Sequence, residues 1–110
     1  MRRTVVAGSC CLALLCAACG KPVPEDKQAY VGEWQSPSTF LLITQDGQVE
    51  YKRRQGATTK SINAPLKAFQ GPDFVVGIGP VSTTFKVSKP PYQDGTRWKM
   101  VVDGVELTKQ

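Results

Sequence analysis

The thiols of this chain are crowded into one place: Cys10, Cys11, Cys16 and Cys19 are its four cysteines, and none follows in the next 91 residues. A thiolate is a strong nucleophile that can take up an acyl or alkyl group, pair with another sulfur or bind a metal. The usual partners for such chemistry are missing. There is no histidine, so a Ser or Thr nucleophile would have only Lys, Asp, Glu or Tyr as its base. Beyond Cys19 no nitrogen or sulfur side chain suits a metal, and the nine carboxylates are scattered; no metal site, no cofactor and no catalytic residue is expected. One dense cationic run remains. Lys52-Arg53-Arg54 could meet phosphates or carboxylates through charge-assisted hydrogen bonds.

The setting of the cysteines decides what their chemistry is for. Arg2 and Arg3 precede an apolar run from Val5 to Leu15, and the small residues Ala17 and Ala18 stand directly before Cys19 and Gly20. A charged start, a short apolar stretch and a small-residue end are the parts of an export signal. The apolar stretch falls well short of the roughly 20 residues that span a bilayer. Residues 1–18 therefore read as a signal peptide. Their end resembles the lipobox of bacterial lipoproteins, in which the peptidase cuts ahead of a cysteine whose thiol takes a diacylglycerol and whose new amine is commonly acylated. By that resemblance the lipidated residue is Cys19. Cys16 stands three positions earlier, where the pattern usually has Leu or Val, with Leu15 one step further back. Cys10 and Cys11 have too little apolar sequence before them, and Cys16 is preceded by Leu14 and Leu15 where small residues are needed. The other readings of the segment are a secretory signal without lipid, cut near Ala18, and a short anchor that is never removed. Two or three acyl chains would hold the protein on a membrane, where a single chain binds only marginally. Lipoproteins with an aspartate after the cysteine tend to stay at the inner membrane; Gly20 leans toward the outer one.

Removal of residues 1–18 would leave 92 residues with twelve basic and nine acidic side chains and one thiol, carrying lipid. No internal disulfide can form, so a single small domain must be held by its apolar core and turns. A balance of +3 asks for no nucleic acid, and an exported protein meets little. Anionic lipid, peptidoglycan or an envelope protein are the partners left open.

Gly20 to Pro24 reads as a lipidated end and tether over residues 19–23, with a β domain over residues 24–110. Pro24 to Val31 predicts two turns of helix: Pro in the first turn, Glu25 and Asp26 near the positive end of the dipole, and Gly32 to stop it. A period of two follows. Thr39 to Thr44 is an apolar run of strand length, and Gln48 to Arg54 alternates Val49 and Tyr51 with polar residues. Thr58 to Ile62 and Leu66 to Phe69 are two weaker strands around Pro65. Asp73 to Ile78 and Val81 to Ser88 alternate most clearly. Pro90 and Pro91 cannot donate to a ladder, which places them outside the sheet or on its edge. Arg97 to Val102 and Val105 to Leu107 form a last pair. Asp-Gly occurs at 46, 94 and 103, each time as a hairpin signal. The expected fold is all-β: a small antiparallel up-and-down barrel or sandwich of about eight short strands after a short N-terminal helix. Closure into a barrel removes exposed edges without a disulfide. Its inward side chains are expected to be Phe40, Leu42, Tyr51, Phe74, Phe85, Trp98 and Met100.

Gly32-Glu33-Trp34, after the helix, resembles the G-x-W opening of lipocalins and related calycin-like barrels. The resemblance implies that Trp34 closes one end of the barrel under a basic side chain from the final strands, for which Arg97 is the candidate. The mature chain is little more than half the usual lipocalin length. Bacterial periplasmic metalloprotease inhibitors, small barrels behind an N-terminal trunk, are similar in size but usually carry a disulfide. Trp34 can also be a plain core aromatic at a strand start, and Lys52-Arg53-Arg54 a solvated hairpin edge. Gly77-Ile78-Gly79-Pro80 reads as a strand turn or bulge, with no helix after it to aim at an anion. The sequence thus points to a membrane-anchored periplasmic lipoprotein, non-catalytic, acting as a binding or structural accessory of the cell envelope. The alternative is a small barrel that binds an apolar ligand or inhibits an exported protease.

Overall fold

The computed structural model describes residues 20–110; the expected signal peptide, residues 1–18, and the expected lipidation site, Cys19, lie outside the described residues. Nine strands follow a 3-10 helix at Glu25–Tyr30: β1 Gly32–Gln35, β2 Thr39–Ile43, β3 Gln48–Gln55, β4 Thr58–Gln70, β5 Asp73–Ile78, β6 Val81–Phe85, β7 Val87–Asp94, β8 Arg97–Val102 and β9 Val105–Lys109. They form one antiparallel sheet in the order β6-β5-β4-β3-β2-β1-β9-β8-β7. The sheet is all-β and antiparallel as expected and curls into a half-barrel, consistent with a calycin-like domain, but it is neither the closed barrel nor the two-sheet sandwich expected. Its two edge strands, β6 and β7, are consecutive in the chain and separated only by Lys86.

Tight turns set this topology. All three Asp-Gly signals lie at hairpins, and in the β8–β9 turn both Asp103 and Gly104 have positive φ, 48° and 79°, as a type I′ turn requires. Two more hairpins turn at Gly71-Pro72 and Gly79-Pro80, with glycine φ near +60°. A positive φ first and proline second fits a type II′ turn.

Several expectations are corrected. The N-terminal helix is a six-residue 3-10 turn, and Pro24 at its start makes no side-chain cap; so short a segment gains little from α-helical bonds. The two strands expected around Pro65 are one, β4. Pro65 sits where β4 leaves β3 and takes up β5, so the missing N–H falls between two ladders. Pro90 and Pro91, by contrast, lie on the sheet's edge as expected, in β7, where the register with β8 slips. The strand count is nine where about eight are expected: β1 and β7, the latter breaking from β6 at Lys86, add two, and the merger into β4 removes one. At that break the amide of Lys86 donates to the Asp103 carboxylate at 2.9 Å and that of Val87 to Asp73 at 2.7 Å. Two carboxylates thus satisfy backbone groups that no strand pairs.

The core lines the concave face. Trp34, Leu41, Tyr51 and Ile62 are successive cross-strand partners, and Ile43, Val49 and Ala64 make the next row. Phe40 and Leu42, expected inside, lie on the outer face, and Thr39, Leu41 and Ile43 are buried instead. An unbroken apolar run has no alternation to read; pairing with Trp34 and Tyr51 decides its parity. Tyr51, Phe74, Phe85 and Met100 are buried as expected, while Trp98 is only partly covered and packs against the cluster. The Phe74 and Phe85 rings stack with centroids 5.0 Å apart, and Tyr51 meets Phe85 edge-on at 4.9 Å. Each such side chain contributes about 1.5–3 kcal/mol by leaving water.

Candidate functional site

Three places on the domain could meet something else. The first is where the cationic run lies. Strand β3 places Lys52 and Arg54 on its outer side, while Arg53 shares the side of Val49 and Tyr51 and pairs in register with buried Thr39. The three side chains, with the β1–β2 turn at Ser36–Ser38, line a cleft of about 310 Å³. Backbone bonds hold the cleft in shape: the Arg54 amide donates to the Ser38 carbonyl at 2.9 Å, and the Ser36 amide to Thr39 at 2.9 Å. Its cations are loosely committed. Lys52 lies 3.9 Å from Glu50, and Arg53 reaches the Asp103 carbonyl at 3.5 Å. An arrangement of two guanidiniums, an ammonium and serine hydroxyls around a hollow is chemically an anion receptor. Sequence analysis found the cations; the turn that makes them a cleft was missed, because only register brings residues 36–38 beside residue 54.

The second place is the open side of the half-barrel. Ile62, Ala64, Val76, Ile78, Val81 and Thr83 line an apolar groove of about 510 Å³. Ile78 and Val81 flank the Gly79-Pro80 turn and are 69% and 72% exposed, the large apolar side chains among the described residues that stand out in water. They keep the inward parity of Phe74 and Phe85. What differs is that edge strand β6 has no neighbour there to cover them.

Trp34 is the third. It is fully buried, and its indole N–H donates to the Tyr30 carbonyl at 2.9 Å. Arg97, the expected basic partner, is exposed beside Asp94 at the β7–β8 turn. Lys109 of β9 takes that place instead, with its ammonium 5.1 Å from the Trp34 ring and 6.0 Å from that of Trp98, donating to the Ala29 carbonyl at 3.1 Å. Its stem crosses Gly32, where φ is +139° and a Cβ would stand 3.0 Å from the lysine's Cε. Glycine is needed there for both reasons. Burial lowers the Lys109 pKa below the ordinary lysine value. The signal that could have found Lys109 is its place in the last strand, which must pair with β1 to cover Trp34. This constellation closes one end of the sheet and offers no open side to a ligand.

On the outer face of β8 and β9, Lys99 bridges Asp94 at 2.9 Å and Glu106 at 3.9 Å, and the Tyr92 hydroxyl donates to Glu106 at 3.1 Å. The bond to Asp94 raises the Lys99 pKa. These are solvated cross-strand pairs that add little stability. Among the described residues no three Cys, Asp or Glu side chains converge on a point, and no helix is long and apolar enough to cross a membrane. Compared with protein-family models, curated proteins and solved structures, the chain has no match.

Proposed function

We propose that this protein is a lipoprotein of the bacterial envelope, anchored through Cys19 and facing the periplasm, that acts by binding and not by catalysis. The observation that carries the reading is the leader: Arg2 and Arg3, the apolar run Val5 to Leu15, then Ala17-Ala18-Cys19-Gly20. It supplies an export signal and a thiol where acylation would occur. The domain behind it supports an accessory role. Its interior is filled by Trp34, Phe74, Phe85 and Met100, each almost wholly buried, which leaves surfaces for recognition. The cleft of Lys52, Arg53 and Arg54 is the binding surface to test, and Gly20 leaves the outer membrane as the favoured address. Intact mass of the protein purified from membranes tests the anchor. A mature chain beginning at Cys19 and carrying two or three acyl groups is expected; an unmodified chain beginning at Met1 would overturn the proposal.

A second reading is favoured by one observation, the apolar groove with Ile78 and Val81 exposed at its lip. Its volume lies in the range of small-ligand sites. Here the protein is a small calycin-like carrier of an apolar molecule. Titration with a fluorescent fatty acid separates the readings: saturable binding abolished by Ile78→Glu, at an exposed position of the groove, but not by Arg54→Gln would favour the carrier.

A further inference from the structure

The segment that joins the anchor to the domain has no slack. Gly20 is bonded directly to Cys19 and already lies against Pro65 and Leu66 of β4 and the Gly47 carbonyl. The Lys21 amide donates to the Leu66 carbonyl at 3.3 Å and the Val23 amide to that of Gln45 at 2.9 Å. The side-chain amides of Gln28 and Gln45 both donate to the Val23 carbonyl, at 2.9 and 3.1 Å. Val23 itself is 3% exposed. Residues 20–23, expected as a tether, run as a strap along the β2–β3 turn. An acyl group on Cys19 would therefore hold that end of the sheet at the bilayer surface.

The cationic cleft is at the other end. Strand β3 starts beside the strap, at Gln48 opposite Pro65, and ends at Gln55 opposite Thr58. At about 3.3 Å per residue, Lys52 to Arg54 stand about 13–20 Å along the strand from its anchored end. The surface potential of anionic lipid is screened over a Debye length of about 8 Å at physiological salt. Lipid phosphate on the anchoring leaflet is then out of reach of the cleft. What remains for an arginine fork beside serine hydroxyls is an anion that comes from the periplasmic side. A hollow of about 310 Å³ takes a small group inserted into it and not a flat surface.

Resting on the lipid-anchor reading, we infer that the domain stands on its β2–β3 end and presents the cleft of Lys52, Arg53, Arg54 and the Ser36–Ser38 turn away from the bilayer, to a carboxylate-bearing peptide stem of the cell wall. Two measurements test this on the full-length lipidated protein, after its mass has reported on the anchor separately. In the first, detergent-solubilised protein is sedimented with purified cell-wall sacculi. Sacculi should retain it. The K52Q/R53Q/R54Q protein should bind about tenfold less, and R54Q alone a few-fold less. A control with the same charge change elsewhere, K67Q/K86Q/K89Q, should bind as the wild type does. Equal loss in both triple variants, or no retention by sacculi, would overturn the cleft assignment. In the second, a fluorophore is placed at Pro22→Cys or Ala57→Cys, and the protein is reconstituted in vesicles with nitroxide-labelled headgroups. Quenching at residue 22 and not at residue 57 is expected. Equal quenching at both would show a domain lying flat and end the orientation argument. If the mass shows no acyl group, the orientation is lost with the anchor, whereas the sacculus result still decides the ligand.

Discussion

The two ends of the β1–β4 meander are made of opposite materials. At one end the chain packs backbone on backbone: Lys21 and Val23 bond to Leu66 and Gln45, and a Cβ on Gly47 would run into the Lys21 carbonyl oxygen. At the other, Lys52, Arg54, Gly56 and Ala57 are exposed and little is packed behind them. The first end is specified by shape and tolerates almost no change. The second is specified by charge, and its sequence can vary without disturbing the fold. That contrast is the usual one between a part that positions and a part that binds.

The largest effect should come from the packed interior between the two ends. Trp34→Ala removes the side chain that closes the sheet against Leu41 and Lys109, and should cost about 3–5 kcal/mol in urea melts. A loss under 1 kcal/mol would mean that the closed end is dispensable. Gly47→Ala comes next. Its φ of +91° and the contact with Lys21 both oppose a side chain, so a loss of about 1–2 kcal/mol is expected. Hydrogen exchange at the Lys21 and Val23 amides should quicken before the rest of the sheet is affected; if they stay protected, the strap is not held as described. Lys109→Ala removes the cation above Trp34 and the stem over Gly32, and about 1 kcal/mol is expected. Lys109→Met, keeping the stem, should restore part of it.

A pH experiment sharpens the same contrast. Burial, and then the charge of Asp73, raise the Tyr30 pKa above 10.0. The hydroxyl donates to the Pro72 carbonyl at 2.8 Å, a bond only the protonated form can make. The unfolded chain loses this proton first. The contribution of Tyr30 is therefore complete below about pH 10 and is lost as pH rises through the higher folded value. Lys109, with its lowered pKa, acts in the opposite sense, so the wild type and Tyr30→Phe should be compared: their stability difference should shrink between about pH 9 and about pH 11. A constant difference would detach Tyr30 from the titration. The smallest effect belongs to the charge-specified end. K52Q/R53Q/R54Q should change stability by no more than about 0.5 kcal/mol; a larger loss would make the run structural.

Much of this architecture is legible along the chain. The alternation in Gln48 to Arg54 and Asp73 to Ile78 and the three Asp-Gly turns are local signals, and local signals survive without tertiary context. The parity of Thr39 to Ile43 is not, because five residues with almost no polar marker present the same pattern to either face. Nor is the partner of Trp34. Arg97 and Lys109 are both cations near the end of the sequence, and only the β1–β9 register, with Trp34 opposite Lys109, selects one. The cationic run could be named from three consecutive letters, whereas its cleft needs a turn sixteen residues earlier.

Residue types alone determined that residues 20–110 are a β domain without disulfide or histidine chemistry, and that all four cysteines stand before it. Periodicity and turn residues act over a few neighbours, so they are written in order along the chain. Tertiary structure decided which face of β2 is buried, which lysine covers the tryptophan, that residues 20–23 are a strap, and that the cations lie at the far end from it. Each of these is a distance between residues remote in sequence, and such distances exist only once the strands have chosen their partners.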